Sequence, residues 1–256
     1  NWSQFDIIRY KDVLIFYIVN KLDKHYKIQI SDFLDKFNFN NPKYISDQIK
    51  YEIENSQVLV NHIRKFINFK GLKDSGKLKS LNDIFFGDEF KNLTKKISNI
   101  LCEDDYYERT KLLHHVACNI RYTGNPFQNK SGSVENIYSI AYLINRIIKA
   151  RKQYNNEFAV PKRNTKIVID SLRNSLEIMF FKERYSAFYM IATKEVLSNS
   201  KNRIINRLKQ ENVKNPEKTA NKLLELDKTE YKTKDFKKGN FSSPDVENCI
   251  QKSDYH

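Results

Sequence analysis

The chain has 256 residues, 40% hydrophobic and 13% aromatic, and its 45 Lys and Arg outnumber 31 Asp and Glu for a formal charge of +14. This content excludes a disordered chain, and no apolar run reaches the roughly 18 to 20 residues of a membrane helix, so a soluble, cytoplasmic protein without a membrane partner is expected. The basic excess favours a nucleotide, RNA or DNA over an acidic partner surface, and Cys102, Cys118 and Cys249 are too scattered for a disulfide framework or a zinc site.

Phe5 to Tyr10 (FDIIRY) reads as a short strand and Val13 to Leu22 as an apolar helix. Ile30 to Phe39 and Ile45 to Phe66 read as helical, parted by the turn signal Asn40-Asn41-Pro42. Lys70 to Gly87, with its Gly, Ser, Lys and Asp, suits an exposed loop, and Glu89 to Leu101 a further helix. Tyr107 to Ile120 is a helix ended by the turn Thr123-Gly124-Asn125-Pro126. In the helix Val134 to Lys152, Val134, Ile137, Tyr138, Ala141, Ile144 and Ile148 form one apolar stripe opposite Arg146, Lys149 and Lys152. A loop over Asn155 to Asn164 follows.

Thr165 to Thr193 reads as one strand, helix and strand unit. The apolar run Lys166 to Ile169 stops at Asp170, Leu172, Leu176, Met179 and Phe180 recur at helical spacing, and Ala187 to Ala192 is a second apolar run. Two strands joined by a helix imply a parallel pair, and ligands of such sheets bind at the carboxyl ends of the strands, which is where Asp170 and Arg173 fall. Ser198 to Lys209 is a basic helix whose Arg203 and Arg207 lie one turn apart, suited to holding phosphate oxygens in their planar forks. Asn215 to Leu226 is a second helix, Asp227 to Pro244 is polar and Lys-rich, and Ser253 to His256 starts an extended run. The chain opens at Asn1 without Met, and a piece of a longer protein is expected.

One string imitates a phosphate loop. Gly71 to Lys77 satisfies G-x-x-x-x-G-K, but Leu78 stands where a Ser or Thr hydroxyl would hold magnesium and no apolar strand precedes it, so it reads as a decoy. Tyr122 to Ser133 likewise reads as a turn.

The strand ending in Ile169-Asp170, the Arg173-Asn174 pair, a helix containing Glu177, a strand and a basic helix together resemble P-loop nucleotide kinases. More narrowly, IVIDSLRNSLEIMFFKERYSAFYMIA, NRIINRL, LLELDKTE, LLHHVACNIRYTGNPF and PDVENCIQKSDYH resemble the amino-terminal part of the deoxycytidylate-deaminase-type enzymes of antiphage defence. The resemblance covers about Lys111 to His256, with FDIIRYKDV as a further strand. It implies an α/β fold, a partial P-loop nucleotide-kinase-like parallel sheet flanked by helices. Residues 1–29 would start the sheet, 30–101 would be a large helical insertion for assembly or for sensing a phage product, and 102–256 would complete the domain with a basic lid-like segment at about 194–243. Nucleotide-binding residues would be Asp170, which assists magnesium directly or through water, with Arg173, Arg203 and Arg207 on phosphate. The family's Gly-rich loop and its His-x-Glu and Pro-Cys-x-x-Cys zinc signature are not among these residues. The zinc centre is therefore expected in a covalently linked deaminase domain outside this chain, with no complete catalytic centre within it. Implied partners are a nucleotide with magnesium, that deaminase domain and further copies of the chain as a homo-oligomer.

Two rival readings stand beside this one. Arg109 to His114 is an R-x-x-x-x-H string similar to that of the helical ribonucleases called HEPN domains, in which His114 would act in acid or base chemistry and Arg109 on the scissile phosphate, without metal. Alternatively, His114 and His115 are structural. The third reading is a non-catalytic nucleic-acid-binding module, with the aromatics and lysines of Tyr231 to Lys238 stacking on bases and holding phosphates.

Overall fold

Two short strands, β1 (Asp6–Arg9) and β2 (Ile167–Asp170), pair in parallel, with Asp6 opposite Ile167 and Arg9 opposite Asp170. The coordinates form a computed structural model that describes residues 4–66, 74–128, 130, 132–193, 197–229, 241 and 244–255. The architecture is mostly helical around this small sheet. No helix among the described residues is long and apolar enough to cross a membrane.

β1 runs straight into α1 (Tyr10–Asn20), whose first helical residue follows the extended Arg9. Val13, Leu14, Ile15, Phe16, Tyr17 and Val19 are all buried, so α1 is apolar nearly all round and forms the centre of the molecule. Asn20 closes it by donating to the carbonyls of Ile63 and Phe66 at 2.8 and 2.7 Å, which satisfies the end of a helix packed alongside. That helix is α4 (Gln57–Arg64), and it follows α2 (Tyr26–Leu34) and α3 (Pro42–Asn55). Pro42 opens α3 at the position where its missing N–H costs nothing, and the Asp104 carboxylate holds the preceding turn through the amides of Asn40 and Asn41.

The segment read as a loop over Lys70 to Gly87 is corrected. From Ser75 it is a helix, α5 (Ser75–Phe85), started by Asp74, whose side chain accepts from the Lys77 amide at 2.8 Å. Leu81 and Phe85 are buried against the core, which outweighs the local loop composition. After α6 (Asp88–Asp104), Asp105 caps α7 (Tyr106–Thr123) by accepting from the amides of Tyr107 and Glu108. Gly124 ends α7 at φ 74°, where a Cβ would lie 2.9 Å from Asn136 Oδ1, so the expected turn there has a steric requirement for glycine.

The stripe helix α8 (Ser139–Glu157) starts later than read, behind a single 3₁₀ turn at Val134–Asn136. Arg146, expected on its solvent face, is buried with 7% exposure, whereas Val134 is exposed. α9 (Ser175–Arg184) follows β2, and α10 (Leu197–Gln210), α11 (Pro216–Thr229) and α12 (Val246–Gln251) complete the chain.

The sheet is smaller than expected, and the second apolar run of the central unit is not a strand beside β2. The parallel mate of β2 is β1, from the start of the chain. Among the described residues the ladder contact of 187–192 is one parallel bridge between Ile191 and Tyr255, with Ala192 N donating to Tyr255 O and Asp254 N to Met190 O, while Phe188 and Met190 pack against the core. One bridge fixes few hydrogen bonds, and Tyr189 and Ile191, 64% and 67% exposed, gain little from burial.

One apolar core runs from Ile8 to Cys249 and takes in the helices between residues 30 and 101. Both expected boundaries of that insertion, at 30 and 101, fall inside helices, α2 and α6. A second, small core of Ile205, Leu208 and Ala220, with Tyr106 and Leu223 against it, holds the α10–α11 hairpin together beside α7.

Candidate anion-binding cleft

The carboxyl ends of β1 and β2 lie side by side, with Arg9 opposite Asp170. At this end α1 begins and β2 breaks off into Ser171, which sits at φ 73° although it is not glycine. Its hydroxyl donates to Asp170 Oδ1 at 2.8 Å and turns the chain out of the strand. A cleft of about 360 Å³ opens there. One wall is the strand ends with Arg9, Lys11, Asp170, Ser171 and Arg173. The other is α7, which offers two adjacent helical rows, Tyr106, Thr110 and His114, then Arg109, Leu113, Ala117 and Arg121. Arg207 of α10 and Pro244 complete the lining.

The floor is a buried charge cluster. Glu177 and Arg121, 0% and 1% exposed at the side chain, meet with Arg121 Nε 2.9 Å from Glu177 Oε1. The Tyr10 hydroxyl donates to both Glu177 oxygens at 3.0 and 3.1 Å and accepts from Arg121 Nη2 at 2.6 Å. Burial works against the Arg121 charge, but Glu177 and Tyr10 outweigh it and hold the guanidinium protonated. Burial is also the main cause that lifts the Tyr10 phenol well above its usual range. The cluster joins α1, α7 and α9, so the cleft floor is set by the same contacts that assemble the core.

α9 owes its position to Asn174, whose side chain accepts from the amides of Leu176 and Glu177 and donates to the Phe241 carbonyl at 3.1 Å. The returning chain is tied at the same place. Asp245 accepts from Ser175 N and Oγ, and its own amide donates to the Arg173 carbonyl at 2.8 Å, which fixes the backbone from which Arg173 projects.

Among the described residues, Arg9, Lys11, Arg109, Arg121, Arg173 and Arg207 face the cleft against the carboxylate of Asp170. Arg121 is neutralised by Glu177, Arg9 approaches Asp12 at 3.9 Å, and Arg207 Nε donates to Glu211 at 3.1 Å. Lys11 and Arg109 form no ion pair among the described residues. Arg109 lies over the Tyr106 ring at 5.4 Å, and its Nε is buried with no hydrogen-bond partner among the described residues. A buried donor left unmade is costly, and Arg109 carries that cost while lining the cleft. The His114 Nε2 lies 3.2 Å from Arg173 Nη1.

Neighbouring groups suit binding better than covalent chemistry. Burial pushes the Cys102 thiol up, against the pull of Arg109, so it is no ready nucleophile. Burial likewise raises the Asp12 carboxyl, against Lys11 and Arg9, with nearby Asp170 adding to the rise. Tyr106 is the first cause, and the Glu211 bond the second, that raise Arg207 and keep it charged.

Of the residues singled out in the sequence, Asp170, Arg173, Arg207, Arg109 and His114 line this one cleft, although they were read as belonging to two rival sites. Arg203 does not line it and sits on the outer face of α10 with Asn199, Asn202 and Asn206. His115 is structural, packed edge-on to Phe37 at 5.7 Å, with burial lowering its pKa. Gly76, Lys77 and Leu78 form the first turn of α5, whereas Gly71 to Lys73 and the segment Tyr231 to Lys238 lie outside the described residues. Lys11, Tyr106, Arg121 and Ser171 were missed. Arg121 shares a helical row with Arg109 at a spacing of twelve, a signal present in the sequence, but its burial depends on Glu177, which no local pattern reveals.

No group of three or more His, Cys, Asp or Glu converges to hold a metal ion among the described residues. Magnesium takes one or two carboxylates together with phosphate oxygens, and Asp170 at the strand end is a fit in kind for that role. No family model, curated protein or solved structure matches the chain.

Proposed function

We propose that this chain is the nucleotide-binding, P-loop kinase-like regulatory portion of a deoxycytidine-nucleotide deaminase acting in antiphage defence, with the zinc deaminase centre outside these residues. The observation that carries the binding reading is the convergence of Asp170, Arg173 and Arg207, from a strand end, its following turn and a separate helix, on one cationic cleft at the carboxyl ends of parallel strands. Arginine forks around a cleft of this size suit phosphate oxygens, and Lys11 and Arg109 add charge without an ion pair among the described residues. In this reading Arg173, Arg207 and Arg109 bind and orient the phosphates, and Asp170 would hold a magnesium ion, whose chemistry is to neutralise phosphate charge. The deaminase assignment rests on the sequence resemblance alone. Calorimetry with deoxycytidine and adenosine mono- and triphosphates tests the binding. Arg173→Ala and Arg207→Ala should each weaken it about tenfold, the worth of one charged hydrogen bond. Equal affinity in wild type and both variants removes the cleft from nucleotide binding.

A second reading has its own observation, that His114 and Arg109 line the same cleft. A metal-independent ribonuclease would use His114 in proton transfer and Arg109 on the scissile phosphate. Cleavage of single-stranded RNA in the presence of a chelator, abolished by His114→Ala, is its required result.

A further inference from the structure

α10 differs from its partner in the hairpin in a way that ordinary surface helices do not require. It carries Lys201, Arg203, Arg207 and Lys209 with no Asp or Glu, whereas α11 balances Lys218, Lys222 and Lys228 with Glu217, Glu225 and Asp227. A helix that is merely solvated gains from mixed charges at i,i+4, and of the four cations of α10 Arg207 has such a partner by sequence, Glu211 just past the helix end. Its apolar residues Ile205 and Leu208 are buried in the hairpin core. The opposite face is a shallow, wide-open groove between side chains of α10 itself, Asn199, Asn202, Arg203, Asn206, Arg207 and Gln210, with Glu211 at its end. Side-chain amides and guanidinium groups are the donors and acceptors that pair with base edges and phosphates.

Arg207 lines both this groove and the cleft, so the two are continuous. From Asn199 to Arg207 the helix rises about 12 Å at 1.5 Å per residue, which spans about three to four nucleotides at 3.4 Å each. At the inner end, the cleft offers the cationic side chains of Lys11, Arg109 and Arg173 to an anion.

We infer that the α10 groove and the cleft form one track for a single-stranded nucleic acid, whose phosphorylated end enters the cleft while the following nucleotides lie along Asn206, Arg203, Asn202 and Asn199. A single strand is favoured over a duplex because the cleft, at about 360 Å³, admits one nucleotide and not a base pair. The track shares its inner end with the nucleotide site proposed above but adds a partner and a surface to it.

The test is fluorescence anisotropy with labelled RNA and DNA strands of about ten nucleotides, each with a hydroxyl or a phosphate at its unlabelled 5′ or 3′ end, and with the matching duplex. Single strands should bind in a salt-dependent manner, and a phosphate at one end should tighten binding about tenfold. The RNA and DNA arms decide which sugar the track takes. The double variant Asn202→Ala, Asn206→Ala should lose about tenfold in strand affinity while calorimetric mononucleotide binding stays unchanged. These exposed helix positions tolerate Ala without loss of fold. Arg173→Ala should remove the preference for a terminal phosphate. Strand binding that ignores the Asn202, Asn206 change, ignores the terminal phosphate or requires a duplex overturns the track. Loss of mononucleotide binding in the wild type, with the strand results intact, counts only against the nucleotide reading.

Discussion

Arg173 Nη1 lies 3.2 Å from His114 Nε2, a contact that joins the turn after β2 to the middle of α7 across the cleft. A guanidinium only donates, so this contact is a hydrogen bond with Nε2 as its acceptor. His114 therefore aims Arg173 into the cleft. His114→Gln keeps an acceptor within reach and should bind nucleotide within about threefold of wild type, whereas His114→Leu should weaken it about tenfold by unmooring the guanidinium. Calorimetry separates the two. Nucleolytic chemistry through His114 would instead be lost in both variants, since neither glutamine nor leucine can take up the proton.

The floor cluster supports the site from below. Glu177→Gln leaves Arg121 charged and uncompensated at 1% exposure, and should cost about 3–5 kcal/mol in urea unfolding. Tyr10→Phe removes one hydroxyl from the cluster and should cost about 1.5–3 kcal/mol. The double variant Arg121→Met, Glu177→Leu removes both charges and should recover much of the loss. A Glu177→Gln protein as stable as wild type would mean that the pair is not buried as described.

How much of this was legible depended on whether the deciding contacts were local. The run Ile167-Val168-Ile169 with its polar stop at Asp170 was readable as a strand because β-branched residues and an abrupt end are local signals. Residues 187–192 look the same locally, but a strand needs a partner, and among the described residues Ile191 bridges to Tyr255 alone. Arg109 and His114 were visible as a pair, and Asp170 and Arg173 as another. That they share a cleft follows from α7 packing beside the strand ends, which no spacing along the chain encodes. Arg203 and Arg207 share one helix, but the cleft reaches only Arg207.

α5 shows the opposite error, a local signal outweighed by its composition. Asp74 as cap and the spacing of Leu78, Leu81 and Phe85 mark a helix that Gly76, Ser75 and the lysines obscure. Leu81 is fully buried, so Leu81→Ala should destabilise the protein by about 2–4 kcal/mol. Lys79 and Asp83 form an exposed pair at 2.6 Å, and Lys79→Ala should cost no more than about 0.5 kcal/mol. Thermal or urea unfolding of both variants decides between a packed helix and an exposed loop, in which the two changes would be equally mild.

Asp6 anchors β1 to α8, and its ionisation should make the fold acid-sensitive. Its carboxylate accepts from Arg151 Nε at 2.9 Å and Nη2 at 2.6 Å, with Arg163 Nη2 at 3.4 Å, while Arg151 stacks on Phe86 at 4.6 Å. Burial alone would raise this carboxyl, but the bonds and charge of Arg151, helped by Arg163, hold it below the usual carboxylate range. A folded-state pKa depressed in this way contributes stability above the unfolded value of about 3.9 and loses it as pH falls through the folded value. Asp6→Asn should therefore be less stable than wild type at neutral pH, by about 1–2 kcal/mol after solvent screening. The difference should shrink steadily below about pH 4, where the wild-type carboxylate takes up its proton and the two side chains become electrically alike. Urea midpoints measured for both proteins from neutral to acid pH give the comparison directly. A gap that stays constant down to about pH 2 would show that Asp6 acts through packing and not through its charge, because protonation would then have removed nothing that Asp6→Asn had not already removed.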